Sequence, residues 1–273
     1  MNVSRLKTRA GVIETIDAGS GEAAVLLLHG NSGHKEVFAR QVEELSPRYR
    51  VVVPDLLGHG GSEDAAEPGR DYTLAGHAGY LAELVTTLEL GPMVVVGLSL
   101  GGHIGLELAA QSPRARGLLL AGAPPFAKTE ASIGKAWAED PVVLLSGKAE
   151  LSAYDAEQFV LRQQVGDAAA IQALLAAVAR TDGRSRTTVV GALLNEAAAD
   201  QRQLVERLDM PIAVVNGSVD QIVNLGFIEA APYRRLWRGQ PFRIVGAGHM
   251  PQVSHPEAFN ALLAAFIADC VAA

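Results

Sequence analysis

Cysteine is almost missing from this chain, which has one, Cys270, in 273 residues. A single thiol excludes an internal disulfide framework and any multi-cysteine zinc or iron-sulfur centre. Cys270 lies in an apolar C-terminal run, where it reads as a small core residue rather than a reactive thiol. Clustered positive charge is missing too: the net charge is −7 and the lysines and arginines are scattered, so nothing invites nucleic acid or an anionic membrane. No stretch reaches the roughly 18 apolar residues of a membrane span, and Met1 to Arg5 opens no apolar signal segment. Together these absences predict a soluble cytoplasmic protein with no nucleic-acid or membrane partner. No internal repeat or low-complexity linker is present either, and the sequence leaves the oligomeric state open.

What is abundant is apolar surface. Hydrophobic residues make up 49% of the chain, enough for one large core or a core with an insertion. Leu6 to Thr8 and Val12 to Ile16 alternate around Ala10-Gly11, the pattern of an antiparallel hairpin at a sheet edge. Ala24 to Leu28, Tyr49 to Val53, Met93 to Val96, Arg116 to Ala121 and Pro211 to Gly217 are short apolar runs, as expected of strands buried on both faces. Helical patterns separate them: Glu36 to Leu45, Thr73 to Leu90 with Asp71 or Thr73 as cap, and Gly102 to Ala110. A helix over Leu225 to Leu236, a strand over Pro241 to Val245 and a helix over Pro256 to Val271 complete the series. Such alternation predicts an α/β protein with a mostly parallel sheet and helices on both faces. It stops between Phe126 and Glu206, where helical stretches at Asp155 to Val165, Ala168 to Arg180 and Arg186 to Ala198 read as an inserted cap. The expected division is therefore a core of residues 1–125 and 207–273 around a helical cap of 126–206.

The chemistry centres on Gly97-Leu98-Ser99-Leu100-Gly101. The bare pentapeptide is a common string. Its apolar strand before and helix after fit a nucleophile elbow, in which a serine on a strained turn projects its hydroxyl from the top of a sheet. Such a serine needs an acid and a histidine downstream, each on a loop after a later strand. Asp220 follows the Ile212 to Val215 strand, and His249 sits in the glycine-rich turn Gly246-Ala247-Gly248-His249 after the last strand. The loop Gly122-Ala123-Pro124-Pro125 offers no carboxylate, which favours Asp220. A serine hydroxyl is too weak an acid to attack unaided, so His249 would take its proton while Asp220 fixes the imidazole tautomer. The oxyanion needs donors: the N–H of Leu100 and, from the loop after Leu28, that of Asn31. Of the other histidines, His29, His59, His77 and His103 read as structural and His255 as a capping or surface residue, while His34 could approach the pocket.

His29-Gly30-Asn31, Asp55-Leu56-Leu57-Gly58-His59-Gly60-Gly61-Ser62, Gly97 to Gly101 and Gly248-His249 resemble the landmarks of the α/β-hydrolase superfamily over nearly the whole chain. That resemblance implies an α/β-hydrolase fold of eight strands with the cap inserted after the sixth. Longer strings, His29 to Ser32, Ser99 to Gly105, Ala179 to Arg184 and Pro211 to Gly217, look like the N-acyl-homoserine lactonases of the α/β-hydrolase type. Members of that group open the lactone ring of bacterial quorum-sensing signals (quorum quenching) without metal or other cofactor. No His-x-His-x-Asp-His cluster of the metal-dependent route occurs. Three positions depart from the group: glutamate can stand at Asp220, a tryptophan at Leu98, and a cap tyrosine at Phe159. Aspartate serves the triad as well as glutamate; the other two changes remove polar handles from the pocket. A small-molecule ester or lactone is the expected substrate, with Gly30, Leu98, Phe126, Trp137, Phe159, Ile222 and Met250 lining its pocket. The rivals are a carboxylesterase for small acyclic esters and a ligand receptor that keeps the triad but turns over slowly. Serine at position 99 argues against haloalkane dehalogenases and epoxide hydrolases, which use aspartate there.

Overall fold

A computed structural model describes residues 2–194 and 198–272. Eight strands form one sheet in the order β1-β2-β4-β3-β5-β6-β7-β8: β1 Asn2–Thr8, β2 Gly11–Ala18, β3 Ala24–Leu28, β4 Arg50–Pro54, β5 Met93–Leu98, β6 Ala115–Ala121, β7 Ile212–Gly217 and β8 Phe242–Ile244. β2 runs antiparallel to β1 and β4, and every other pairing is parallel. The mostly parallel α/β sheet expected from the alternation is present.

Alternation along the strands builds two cores. Leu26, Leu28, Val95, Leu118, Leu120 and Val214 face one layer, with the Leu74–Thr87 and Leu100–Gln111 helices. Val25, Leu27, Val94, Val96, Leu119 and Val215 face the other, with the Ala39–Leu45 and Pro256–Val271 helices. Side chains of successive residues in a strand point to opposite faces, so an apolar run without interruption requires a cover on each side. Each buried leucine or valine contributes about 1.5–3 kcal/mol. Cys270 lies in the second layer, 3% exposed, against Gly117, where an added Cβ would stand 2.4 Å from its Sγ.

Several expected elements shift. Thr73 caps the Leu74–Thr87 helix, its side chain accepting the Gly76 N–H at 2.9 Å. The expected helix over Leu225 to Leu236 ends at Glu229, because Pro232 has no N–H and disfavours helical backbone before it. The last strand is only Phe242–Ile244, and Val245 beyond it is exposed. Between β6 and β7 lie helices at Glu130–Ala136, Ala153–Leu161, Ala168–Arg180, Gly183–Gly191 and Gln201–Arg207, and a 3-10 segment at Pro141–Gly147. The expected Arg186 to Ala198 helix starts at Gly183, capped by Asp182, and stops at Gly191; its residues 195–197 lie outside the described residues. Position 206 falls inside the Gln201–Arg207 helix, which packs on the elbow helix of the core. Among the described residues, no helix is long and apolar enough to cross a membrane.

Candidate active site

Ser99 sits between β5 and the Leu100–Gln111 helix with φ +50° and ψ −118°, a left-handed backbone uncommon for a residue with a side chain. Glycines make the corner passable. An added Cβ on Gly97 would stand 2.3 Å from the Gly101 carbonyl oxygen, and one on Gly101 would stand 2.2 Å from that of Leu28. On Gly102 it would meet the Ala123 side chain at 2.4 Å. Strand and helix thus touch backbone to backbone, and the Ser99 N–H is tied to the Ala121 carbonyl at 2.8 Å.

Asp220 and His249 come together 29 residues apart in sequence, His249 Nδ1 lying 2.7 Å from Asp220 Oδ2 with side chains 3% and 1% exposed. The other carboxylate oxygen accepts the N–H groups of Ile222 and Val223 at 2.8 and 3.3 Å. A carboxylate so held presents one oxygen to the ring, so Nδ1 carries the proton and Nε2 is the free base. Two close approaches seat the pair. An added Cβ on Gly217 would stand 2.0 Å from the Gly248 carbonyl, so the acid loop and the histidine loop are in backbone contact. One on Gly122, at φ +58°, would stand 2.6 Å from His249 Cε1, so that glycine makes room for the ring. The Gly122 N–H donates to Asn216 Oδ1 at 2.8 Å, joining the ends of β6 and β7.

Ser99 and His249 line one cavity of about 950 Å³ counting its mouth, and all of the expected pocket residues border it: Gly30, Leu98, Phe126, Trp137, Phe159, Ile222 and Met250. So do Asn31 and Leu100. Leu100 is the first residue of its helix, and a first-turn N–H has no intrahelical acceptor. In the loop across from it, the internal hydrogen bonds use Ser32 N–H, to His59 Nε2, and Gly33 N–H, to the Gly30 carbonyl, and leave the Asn31 N–H for another partner. An added Cβ on Gly30 would meet Ser99 Cβ at 3.3 Å, so this loop passes directly over Ser99. Trp137 reaches the wall through an antiparallel bridge to Val223, next to the acid loop.

His34 does not border this cavity; its Nδ1 lies 2.7 Å from Glu36 Oε2 at the surface. The sequence reading also missed residues that do border it. Leu174 and Val178 come from one helix, Val189 and Val190 from the next, and Val143 and Ser146 from the 3-10 segment. Leu174 and Val178 are four residues apart, a helical signal that was available. His103, read as structural, borders the cavity one helical turn beyond Ser99. Gln201 Nε2 donates to the His103 carbonyl, so Gln201 Oε1 accepts from His103 Nδ1 at 2.7 Å, while His103 Nε2 has no partner among the described residues. Burial holds the ring's pKa at about 4, so it is neutral near pH 7.

Under the site, burial likewise lowers His29, His59 and His77 to about 3. His29 Nδ1 donates to the Gly30 carbonyl at 2.8 Å and its Nε2 accepts from Leu56 N–H at 2.9 Å, so a neutral ring staples two loops. Asp55, fully buried, accepts from Lys35 N–H, Lys35 Nζ and Gly61 N–H and ties the same loops from the other side. Among the described residues no three His, Cys, Asp or Glu side chains converge as metal ligands.

One cavity brings together a serine hydroxyl, a histidine with its carboxylate partner and backbone N–H groups, residue types suited to acyl transfer. Comparison with known proteins agrees with it. Structures of the N-acyl homoserine lactonase AidH, complexed with N-hexanoyl homoserine lactone or N-butanoyl homoserine, superpose with TM-score 0.93 at 38% identity. They cover 99% of this chain and 98% and 97% of theirs. A pimeloyl-acyl-carrier-protein methyl ester esterase of Xanthomonas axonopodis pv. citri is 31% identical over 93% of this chain and 98% of its own. The family model described as alpha/beta hydrolase fold matches residues 23–256. This chain therefore belongs to the α/β hydrolase fold family.

Proposed function

We propose that this protein is a metal-independent serine hydrolase that opens the lactone ring of N-acyl-homoserine lactones. Ser99 attacks the lactone carbonyl as His249 Nε2 takes its proton, and Asp220 steadies the imidazolium. The oxyanion is held by the N–H groups of Leu100 and Asn31; one such donor is worth on the order of 100-fold or more in turnover. Collapse breaks the bond from the acyl carbon to the ring oxygen, which receives the proton from His249. Water, activated by the same imidazole, then releases the N-acyl homoserine, whose carboxyl is fully ionised at about pH 7.

One observation carries this reading: the elbow serine and the His249–Asp220 pair open into a single, largely apolar cavity walled by inserted helices, with room for an acyl chain. Whole-length similarity to a lactonase supports the lactone over other esters. A second reading, an esterase for acyclic methyl esters, draws on the Xanthomonas relative.

A panel of lactones against simple esters decides between them. N-acyl-homoserine lactones of short, medium and long chain should each be scored for release of one proton per molecule. Release is expected to withstand chelators and to vanish in Ser99→Ala and His249→Ala. No acid from any lactone, with steady turnover of methyl or p-nitrophenyl esters, would establish the acyclic esterase instead. No turnover of any ester by the intact triad would leave a receptor.

A further inference from the structure

Two of the lactonase-like strings, His29 to Ser32 and Ala179 to Arg184, are far apart in sequence yet lie in adjoining patches of one contact. Arg180 donates to the Ser62 carbonyl and to Asp64, and the Asp182 N–H donates to the Gly58 carbonyl at 2.9 Å. Tyr72 donates its hydroxyl proton to Asp182 Oδ2 at 2.6 Å. Two residues beyond the second string, Arg186 goes deeper and is 3% exposed. Its guanidinium donates to the carbonyls of Lys148 and Ala149 at 2.8 and 2.7 Å and to Ser32 Oγ at 3.1 Å. All three acceptors are neutral. Among the described residues no carboxylate pairs with this guanidinium, a costly arrangement that persists only where the surrounding structure holds it.

The third acceptor leads to the oxyanion loop. Ser32 has φ +56°, its N–H donates to His59 Nε2 at 3.2 Å, and its hydroxyl donates to Asn31 Oδ1 at 3.1 Å. Asn31 Nδ2 in turn donates to the Ser146 carbonyl at 2.8 Å. Both side chains flanking the Asn31–Ser32 peptide are thus tied to the segment between β6 and β7. The Gly33 N–H to Gly30 carbonyl bond closes a turn around Asn31 and Ser32. The bonds of the two side chains to Ser146 and Arg186 add to the restraint on a non-glycine residue at this positive φ.

We propose that Arg186 is a positioning residue: through Ser32 it holds the Asn31 backbone in the orientation the oxyanion hole requires, so the hole is complete only while the inserted helices are docked on this loop. The proposal rests on Ser99 as nucleophile and Asn31 N–H as donor. Arg186 touches no reacting atom and acts through Ser32 and Asn31. Because the oxyanion forms only in the transition state, losing the restraint lowers kcat and leaves KM nearly unchanged.

The test uses Arg186→Gln, Arg186→Lys and Ser32→Ala, with Ser99→Ala as control. Active sites are counted with a fluorophosphonate, so each rate refers to folded, reactive enzyme. An alkyl boronic acid, whose serine adduct places an oxygen in the hole, reports transition-state affinity; the product acid reports ground-state affinity. The expected result is a 30- to 100-fold fall in kcat per active site for Arg186→Gln, matched by the boronate, with KM and product affinity within threefold. Arg186→Lys should recover part of it, and Ser32→Ala, which leaves both carbonyl contacts of Arg186 intact, should lose about tenfold. If Arg186→Gln does not fold, Ser32→Ala carries the test alone. Boronate affinity and kcat per active site within threefold of the parent in Ser32→Ala, or in a folded Arg186→Gln, overturn the proposal. Retained activity in Ser99→Ala overturns instead the nucleophile assignment beneath it.

Discussion

Replacing Gly122 by alanine presses on His249, the proposed base, without removing any group of the proposed triad. The new methyl would stand 2.6 Å from His249 Cε1 and 2.9 Å from Nδ1, whereas ordinary contact begins near 3.4 Å. The ring must retreat by about 0.8 Å, and the Nδ1 bond to Asp220, 2.7 Å long, cannot be kept on such a path. Misplacement of a catalytic group by about 1 Å costs on the order of 100-fold, so kcat/KM should fall by that factor. The backbone adds its own penalty, because φ is +58° and an L-residue there costs about 1–2 kcal/mol. For a chain of this size that lowers Tm by roughly 2–8 °C. The alanine keeps the N–H that donates to Asn216, so the link between β6 and β7 survives. Ester hydrolysis and a thermal melt on the same preparation measure both effects. A melt lowered by several degrees with full activity per folded molecule would refute the placement of the base.

Acid should destabilise the fold well before most of its carboxylates titrate; Glu107, pushed up to about 7 by burial, takes up its proton in the same range and offsets part of the loss. His29, His59 and His77 stay neutral down to about pH 3 and His103 to about 4. The unfolded chain binds those protons below about 6.5, so stability is present above that pH and is lost as pH falls through it. Each ring contributes a loss of up to about 2 kcal/mol between pH 7 and 5. A Tm constant over that interval would contradict the neutral, buried rings. At the elbow, Gly101→Ala places a methyl 2.2 Å from the Leu28 carbonyl, where only backbone could yield. A loss on the order of 3 kcal/mol, or roughly 10 °C in Tm, is expected, and wild-type stability would show that strand and helix do not meet there.

The sheet was legible because its central strands are covered on both faces: Ala24 to Leu28 and Met93 to Leu98 carry no polar side chain that would have to face water. The candidate site residues were placed by strand counting, and Ser99, Asp220 and His249 do lie beyond the ends of β5, β7 and β8 on one cavity wall or beside it. The insertion was harder. Its 3-10 segment Pro141–Gly147 has no fully buried residue and turns Val143 and Ser146 to the cavity, so no helical period marks it. His34 shows the complementary failure: loop position suggested the pocket, and a short-range pairing with Glu36 settled its orientation. Contacts between a helix and a loop distant in sequence, such as Arg186 on Ser32, have no periodic signature at all.

The one thiol of the chain offers a use that its inertness creates. Cys270 is sealed between the last helix and Gly117, and its pKa is pushed up to about 12 by burial, so a disulfide reagent in solvent meets no reactive sulfur in the closed state. Labelling must wait for the Pro256–Val271 helix to lift from β6. With no second cysteine to confuse the signal, the labelling rate of unaltered protein reads the opening free energy of that layer directly, and comparison with global unfolding shows whether the helix leaves first.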